Sequence, residues 1–351
     1  MASPKFERAN MKYRFLGDTG LRVSEISLGS WITFGGQVAD KERALACFRE
    51  ARKQGINFFD SAEGYHAGAA ETLLGTVFKE LEWPRSDLVV CTKIYWGGDG
   101  PNDVGLSRKH ILEGTQKCLD RLQLDYVDVI MAHRCDPAVP MEEIVRAFSD
   151  LVTHQHKALY WGTSEWSAAE IEAACQTAAR LGLVKPVCDQ PQYNLLTRQR
   201  VEQEYRDAQL YRNYRYGLTV WSPLASGVLS GKYNDLQVPA DSRLAIADDQ
   251  FMRAFKAKLT TAAGRAEIEK VKAAGAVARE LGCTTAQLAL AWCLTNPHVS
   301  TVITGASRPE QITENVQAVQ VAEKLTPVIL ARLDEIMGSK PPGQDFFGRD
   351  V

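Results

Sequence analysis

The stretch SLGSWITFGG, residues 27–36, runs on from the first apolar, β-branched run of the chain, EISLGSW (25–31), and decides which kind of strand–helix protein this is. An open, doubly wound sheet that binds a dinucleotide carries G-x-G-x-x-G after its first strand, so that the backbone can approach a pyrophosphate. Here the glycines fall at 29, 35 and 36 and do not fit that spacing. Seven further runs of similar character follow: INFFD (56–60), DLVVCTKI (87–94), YVDVIMA (126–132), ALYWGTS (158–164), PVCDQPQY (186–193), GLTVWSPL (217–224) and STVITGAS (300–307). With the opening run counted from residue 25, the starts are 31, 31, 39, 32, 28, 31 and 83 residues apart. Each gap is long enough for a crossover helix, and continuous apolar runs suit strands buried on both faces. Amphipathic stretches at 41–55, 107–122, 141–154 and 167–182 fill several gaps, with Asp40, Ser107 and Ser167 as capping residues. The predicted fold is α/β: a (β/α)8 TIM barrel, with the open sheet as the competing arrangement.

Around this frame, residues 12–26 hold two short extended runs flanking GDTG, a β-hairpin placed to plug the bottom of the barrel. The long gap after strand seven must hold a polar loop (222–245) and extra helices near 247–260, 264–281 and 285–296. Residues 1–351 are expected to form a single domain with irregular tails at 1–11 and 340–351. The charge of −2 and the absence of basic blocks argue against nucleic acid as a partner. Eight cysteines without a C-x-x-C pair read as reduced core thiols, and no run of about 18 apolar residues is present, so a cytoplasmic location is expected.

In a parallel barrel the chemistry sits at the C-terminal ends of the strands. Read there, the chain offers Ser30 and Trp31, Asp60 and Tyr65, Lys93, His133, Ser164, Gln190, Trp221 and Ser222, then Gly305 to Ser307. Asp60 with Tyr65, Lys93 and His133 come from three successive strand ends, about 4.8 Å apart from neighbour to neighbour. A tyrosine is a poor acid, and an adjacent ammonium moves its pKa down; Lys93 would supply that charge, Asp60 would hold Lys93, and a neutral His133 would bind a carbonyl. A buried ion pair capped by a tyrosine is the structural alternative. The Gly/Ser-rich loop SPLASGVLSGKY (222–233) is one residue short of a Walker motif. TGASRPEQITEN (304–315) sets a helix N-terminus at the rim, suited to an anion. No metal is expected, since no H-E-x-x-H is present, and His66, His110 and His298 read as surface residues.

These residues resemble the aldo-keto reductase superfamily, (β/α)8 barrels that bind NADPH without an open dinucleotide fold; the similarity runs from about residue 12 to 340. GLRVSEISLGSWITFGGQ, TKIYWGG, GLSRKHI, RLQLDYVDV, YWGTSEWS, LGCTTAQLALAWCL and GASRPEQITEN are similar to the branch that includes the beta subunits of voltage-gated potassium channels. The resemblance implies a tetrad of Asp60, Tyr65, Lys93 and His133, with Tyr65 as proton donor in the NADPH-dependent reduction of aldehydes and ketones. It implies cofactor contacts at Ser30, Trp31, Gln37, Asp60, Ser164 and Gln190, then at Trp221, Ser222, Pro223, Leu224, Ala225 and Ser226. Gly305 and Glu314 are further implied contacts; Lys232 and Arg243 would meet the phosphates, and Ser307, Gln311 and Asn315 would meet the adenosine end. Trp31, Tyr65, Trp96, His133 and Trp166 would wall a substrate pocket suited to flat or apolar carbonyls. A homotetramer and a membrane-channel partner, with slow or vestigial reductase chemistry, are the alternative the branch implies. His133 stands where the channel subunits carry Asn, Glu165 stands where they carry Arg, and the tyrosine that the branch places two residues before Arg243 is missing.

Overall fold

The structure, a computed structural model, describes residues 6, 8–31, 33–36, 38, 40–240, 242–246 and 250–344. Eight parallel strands close into a barrel: β3 (Ile26–Gly29), β4 (Phe58–Asp60), β5 (Val89–Ile94), β6 (Val127–Ala132), β7 (Ala158–Thr163), β8 (Cys188–Asp189), β9 (Gly217–Val220) and β10 (Val299–Thr304). β10 returns to β3 and seals the ring. All eight expected strands are present and mostly shorter than their apolar runs, because the ends bend away into the rim loops. β8 is the extreme case: the run 186–193 is cut to two residues between Pro186 and Pro191, which have no N–H to extend the ladder.

The helices α1 (Lys41–Lys53), α2 (Ala69–Leu81), α3 (Arg108–Leu122), α4 (Met141–Thr153) and α5 (Ala168–Leu181) follow β3 to β7 in turn and cover the barrel. Asp40, Ser107 and Ser167 accept backbone N–H bonds at the starts of α1, α3 and α5, and Ser167 completes a capping box with Glu170. Between β9 and β10 lie a 3-10 turn (Ala225–Ser230) and helices Arg243–Ile246, Gln250–Leu259, Ala262–Glu280 and Thr285–Leu294. Six cysteines are buried thiols, while Cys135 and Cys283 are half-buried.

β1 (Tyr13–Phe15) and β2 (Arg22–Ser24) form the expected hairpin. Leu16 and Val23 are fully buried against Phe58, Val89, Cys91, Val129, Met131, Val187 and Cys188, the lower interior of the barrel. Burying each such side chain is worth about 1.5–3 kcal/mol. Gly17 makes the seal tight: its φ is +58°, and a Cβ there would lie 2.5 Å from the Val187 carbonyl oxygen.

Candidate active site

Alternation along the strands decides which side chains point inward. Phe58, Val89, Cys91, Val129, Met131 and Cys188 fill the lower interior, and side chains two residues further along a strand lie on the same face. Asp60, Lys93, His133 and Gln190 stand two residues beyond Phe58, Cys91, Met131 and Cys188, so the pleat carries them to the upper end. The register sets them side by side: Asp60 lies opposite Cys91, Lys93 opposite Met131, and the His133 N–H donates to the Ile94 carbonyl at 3.0 Å.

There Lys93 Nζ lies 2.7 Å from Asp60 Oδ2, 2.7 Å from the Ser61 carbonyl oxygen and 3.1 Å from the Tyr65 hydroxyl. Gln190 Nε2 donates to the other Asp60 oxygen at 3.0 Å. Lys93 is wholly buried. Burial alone would lower its pKa, but the Asp60 charge, with Tyr65 and Cys91, outweighs that and raises it, so the ammonium is permanent. The structure corrects one expectation. Burial outweighs the pull of Lys93 on Tyr65, partly because Asp60 opposes that pull, and the phenol is held above its ordinary value rather than moved toward neutrality. Tyr65 therefore stays protonated. Burial first, then Lys93 and Arg134, push His133 well below the usual imidazole range, so it is neutral, and its Nδ1 is buried without a hydrogen-bond partner.

Above this group opens a cavity of about 730 Å³. Asp60, Tyr65, Trp96, His133, Ser164, Gln190, Trp31 and Trp221 line its inner part, and the Trp31 and Trp221 rings meet edge-on at 5.7 Å. Ser222, Pro223, Leu224, Ser226 and Lys232 line it from the loop after β9, and Gly305, Ser307, Gln311, Glu314 and Asn315 from the end of β10 and the helix Pro309–Val316. The loop after β9 is strained: Ser222, Ala225 and Ser226 all have positive φ, and the Ser226 hydroxyl is buried without a partner. A Cβ on Gly227 would lie 2.3 Å from Lys232 Cε, so glycine lets the lysine fold across the loop. Ser30 sits behind the wall, bonded to Ser61 at 3.0 Å, and Ala225 is buried within its turn. Lys93 lies beneath the cavity floor. Gln37 and the Arg243 side chain lie outside the described residues.

Trp166 does not line the cavity. Glu165 has φ +60°, which turns the chain outward, and Trp166 is fully buried between barrel and helices, where its carbonyl accepts the Tyr205 hydroxyl at 2.6 Å. His110 is likewise not a surface residue: it is 3% exposed. Its Nε2 lies 2.9 Å from Glu63 Oε1 and its Nδ1 3.0 Å from the Asn102 carbonyl. Both partners facing the ring accept, so the ring carries both protons. Burial would lower the His110 pKa, but Glu63, the Asn102 carbonyl and Asp103 raise it. Glu63 also accepts the Tyr95 N–H, and a Cβ on Gly97 would lie 2.7 Å from His110 Cε1, so the pair fastens the Tyr65 turn to the loop that bears Trp96. Sequence reading missed Glu63, whose only signal is its place between Asp60 and Tyr65.

A raised imidazole pKa stabilises the fold fully below about pH 6.5, the ordinary histidine value, and that stabilisation is lost as pH rises through the folded-state value. The thermal midpoint of the native protein should fall with rising pH above that point more steeply than that of His110→Gln. Parallel melting curves would assign the ionisation elsewhere.

A profile for the "Aldo/keto reductase family" matches residues 25–337. The chain belongs to the aldo/keto reductase family. It is 50% identical over 342 residues to a "Putative voltage-gated potassium channel subunit beta" of Schizosaccharomyces pombe (strain 972 / ATCC 24843), covering 97% of each chain. It is also 50% identical over 331 residues to a "Probable voltage-gated potassium channel subunit beta" of Arabidopsis thaliana, and 49% identical over 331 residues to one of Oryza sativa subsp. japonica; each match covers 94% of this chain and 98% of the relative. Among the described residues no helix is long and apolar enough to cross a membrane.

Proposed function

We propose that the protein is an NADPH-dependent reductase of aldehydes and ketones, with Tyr65 as proton donor. The carrying observation is the hydrogen-bonded chain Asp60–Lys93–Tyr65, whose outer member Tyr65 lines the same cavity as His133. The residues present fit the cofactor: an orphaned serine hydroxyl and Lys232 on a strained loop at one wall, amide and hydroxyl groups of Ser164 and Gln190 within, and a helix start with Ser307, Gln311 and Asn315 at the far end. NADPH, when bound, supplies the hydride. This chain's residues do the rest. His133, neutral, donates a hydrogen bond to the carbonyl oxygen, and Tyr65 releases its proton to that oxygen as negative charge develops there. Lys93 stabilises the phenolate left behind and is itself fixed by Asp60.

A second reading follows from the names of the relatives: an accessory subunit of a voltage-gated potassium channel, tetrameric and cytoplasmic, that binds NADP(H) and turns over slowly. NADPH oxidation against a panel of carbonyls, with light scattering on the same preparation, tests both. Turnover at about 1 s⁻¹ or faster, within the range of ordinary enzymes, supports the reductase. A tetramer that holds NADPH and oxidises it orders of magnitude more slowly supports the subunit, and failure to bind NADPH overturns both.

A further inference from the structure

Arg134 follows His133 directly and lines the same cavity. Its Nη1 donates to the His133 carbonyl oxygen and lies 3.4 Å from Ser164 Oγ. Its guanidinium carbon is 5.4 Å from the centroid of the Trp96 ring, which is itself 4.8 Å from the His133 ring. Every one of these partners is neutral, and among the described residues no carboxylate pairs with Arg134. Glu165, next to Ser164, is already committed: it lies 3.2 Å from Arg200 Nη1 and accepts the Trp221 indole N–H at 2.8 Å and the Gln192 N–H. Lys93, beneath the cavity floor, is matched by Asp60. A positive charge thus faces the cavity beside His133 without a counter-charge from the described residues.

We infer that Arg134 selects carbonyl substrates that carry a carboxylate, such as oxo acids and carboxylated aromatic aldehydes. A guanidinium presents a planar fork that matches a carboxylate, and this one is steadied over an aromatic face, so little freedom is lost when the anion arrives. Trp31 and Trp96 offer apolar walls for the body of such a molecule. The carboxylate takes no part in the chemistry, in which the carbonyl carbon gains a hydride and its oxygen a proton. The charge of Arg134 also helps to keep His133 neutral, which places the two side chains within electrostatic reach. This specificity rests on the reductase reading of the cavity, and the test separates the two.

4-Carboxybenzaldehyde and 4-carbamoylbenzaldehyde have nearly the same shape and differ in charge. With NADPH in excess, kcat/KM should favour the carboxylate about 10- to 100-fold, the scale of a charge-assisted hydrogen-bonded pair. In Arg134→Gln the ratio should fall to near one, whatever the substitution does to both substrates alike, and Arg134→Lys should lie between. A ratio near one in the native protein, or a ratio unchanged in Arg134→Gln, overturns the inference. Binding of benzoate and benzamide to the NADP⁺-loaded protein, read by calorimetry, needs no turnover. Benzoate should bind at least about tenfold more tightly, a difference of about 1.4 kcal/mol, and Arg134→Gln should erase that difference. If neither aldehyde is reduced while benzoate still binds through Arg134, the reductase reading fails and the anion preference stands; equal binding of benzoate and benzamide refutes the preference.

Discussion

Tyr65→Phe is expected to lower kcat for carbonyl reduction by roughly 10²–10⁴, the usual worth of a positioned general acid, while NADPH affinity changes little. The substitution removes one oxygen and keeps the ring. The ring packs edge-on against His133 at 5.8 Å and lies under the Lys93 ammonium at 4.7 Å, and a phenylalanine keeps both contacts. What disappears is a phenol held protonated by burial, 3.1 Å from an ammonium able to stabilise its conjugate base. Rapid-mixing kinetics should therefore show a slowed chemical step, with cofactor fluorescence titrations nearly superimposable on those of the native protein. A kcat within tenfold of native would remove Tyr65 from the reaction.

Asp60→Asn should act on the fold as much as on the chemistry. Lys93 has no exposed surface, and its only carboxylate partner among the described residues is Asp60 at 2.7 Å. An asparagine fills the same volume and leaves the ammonium buried without its counter-charge, which typically costs about 3–5 kcal/mol. The native pair holds the Lys93 pKa up, so its contribution is complete below the ordinary lysine value of about 10.4 and fades only in stronger alkali. In the variant, burial is no longer opposed by the Asp60 charge and pulls that pKa down, so stability should rise as the pH climbs toward the lysine range. Urea unfolding at neutral and alkaline pH measures both effects. A second substitution, Lys93→Met in the Asp60→Asn background, should restore part of the loss, and a midpoint for Asp60→Asn equal to that of the native protein would contradict this account of the pair.

The barrel was legible because strands buried on both faces leave continuous apolar runs at regular spacing, and the polar residue closing each run marks the upper rim. Asp60, Lys93, His133 and Gln190 were readable for one reason: each sits two residues beyond an inward apolar side chain, so strand parity alone places them together. Some residues whose position depends on loop dihedrals were not readable. Trp166 follows a strand end just as Trp221 does, but a left-handed Glu165 sends it into the core. His110 looks like any polar residue in the first turn of a helix, and only the approach of Glu63 and of the Asn102 carbonyl, across glycines 97 and 114, shows why it is buried. Arg134 carries no pattern of its own, and its role comes from which charges do not reach it.

The pairing of β10 with β3, Val302 opposite Ile26, joins segments near opposite ends of the chain. As the polypeptide leaves the ribosome, the apolar side of the hairpin and the edge of β3 must wait for strands made much later, and the ring cannot shut until residues past 304 have emerged. Contacts of such long sequence separation fold slowly, and unpaired edges invite association in the meantime. A nascent chain halted before β10 would therefore carry two open sheet edges, on β3 and on β9, which makes this stage of synthesis the point at which a chaperone has most to shield.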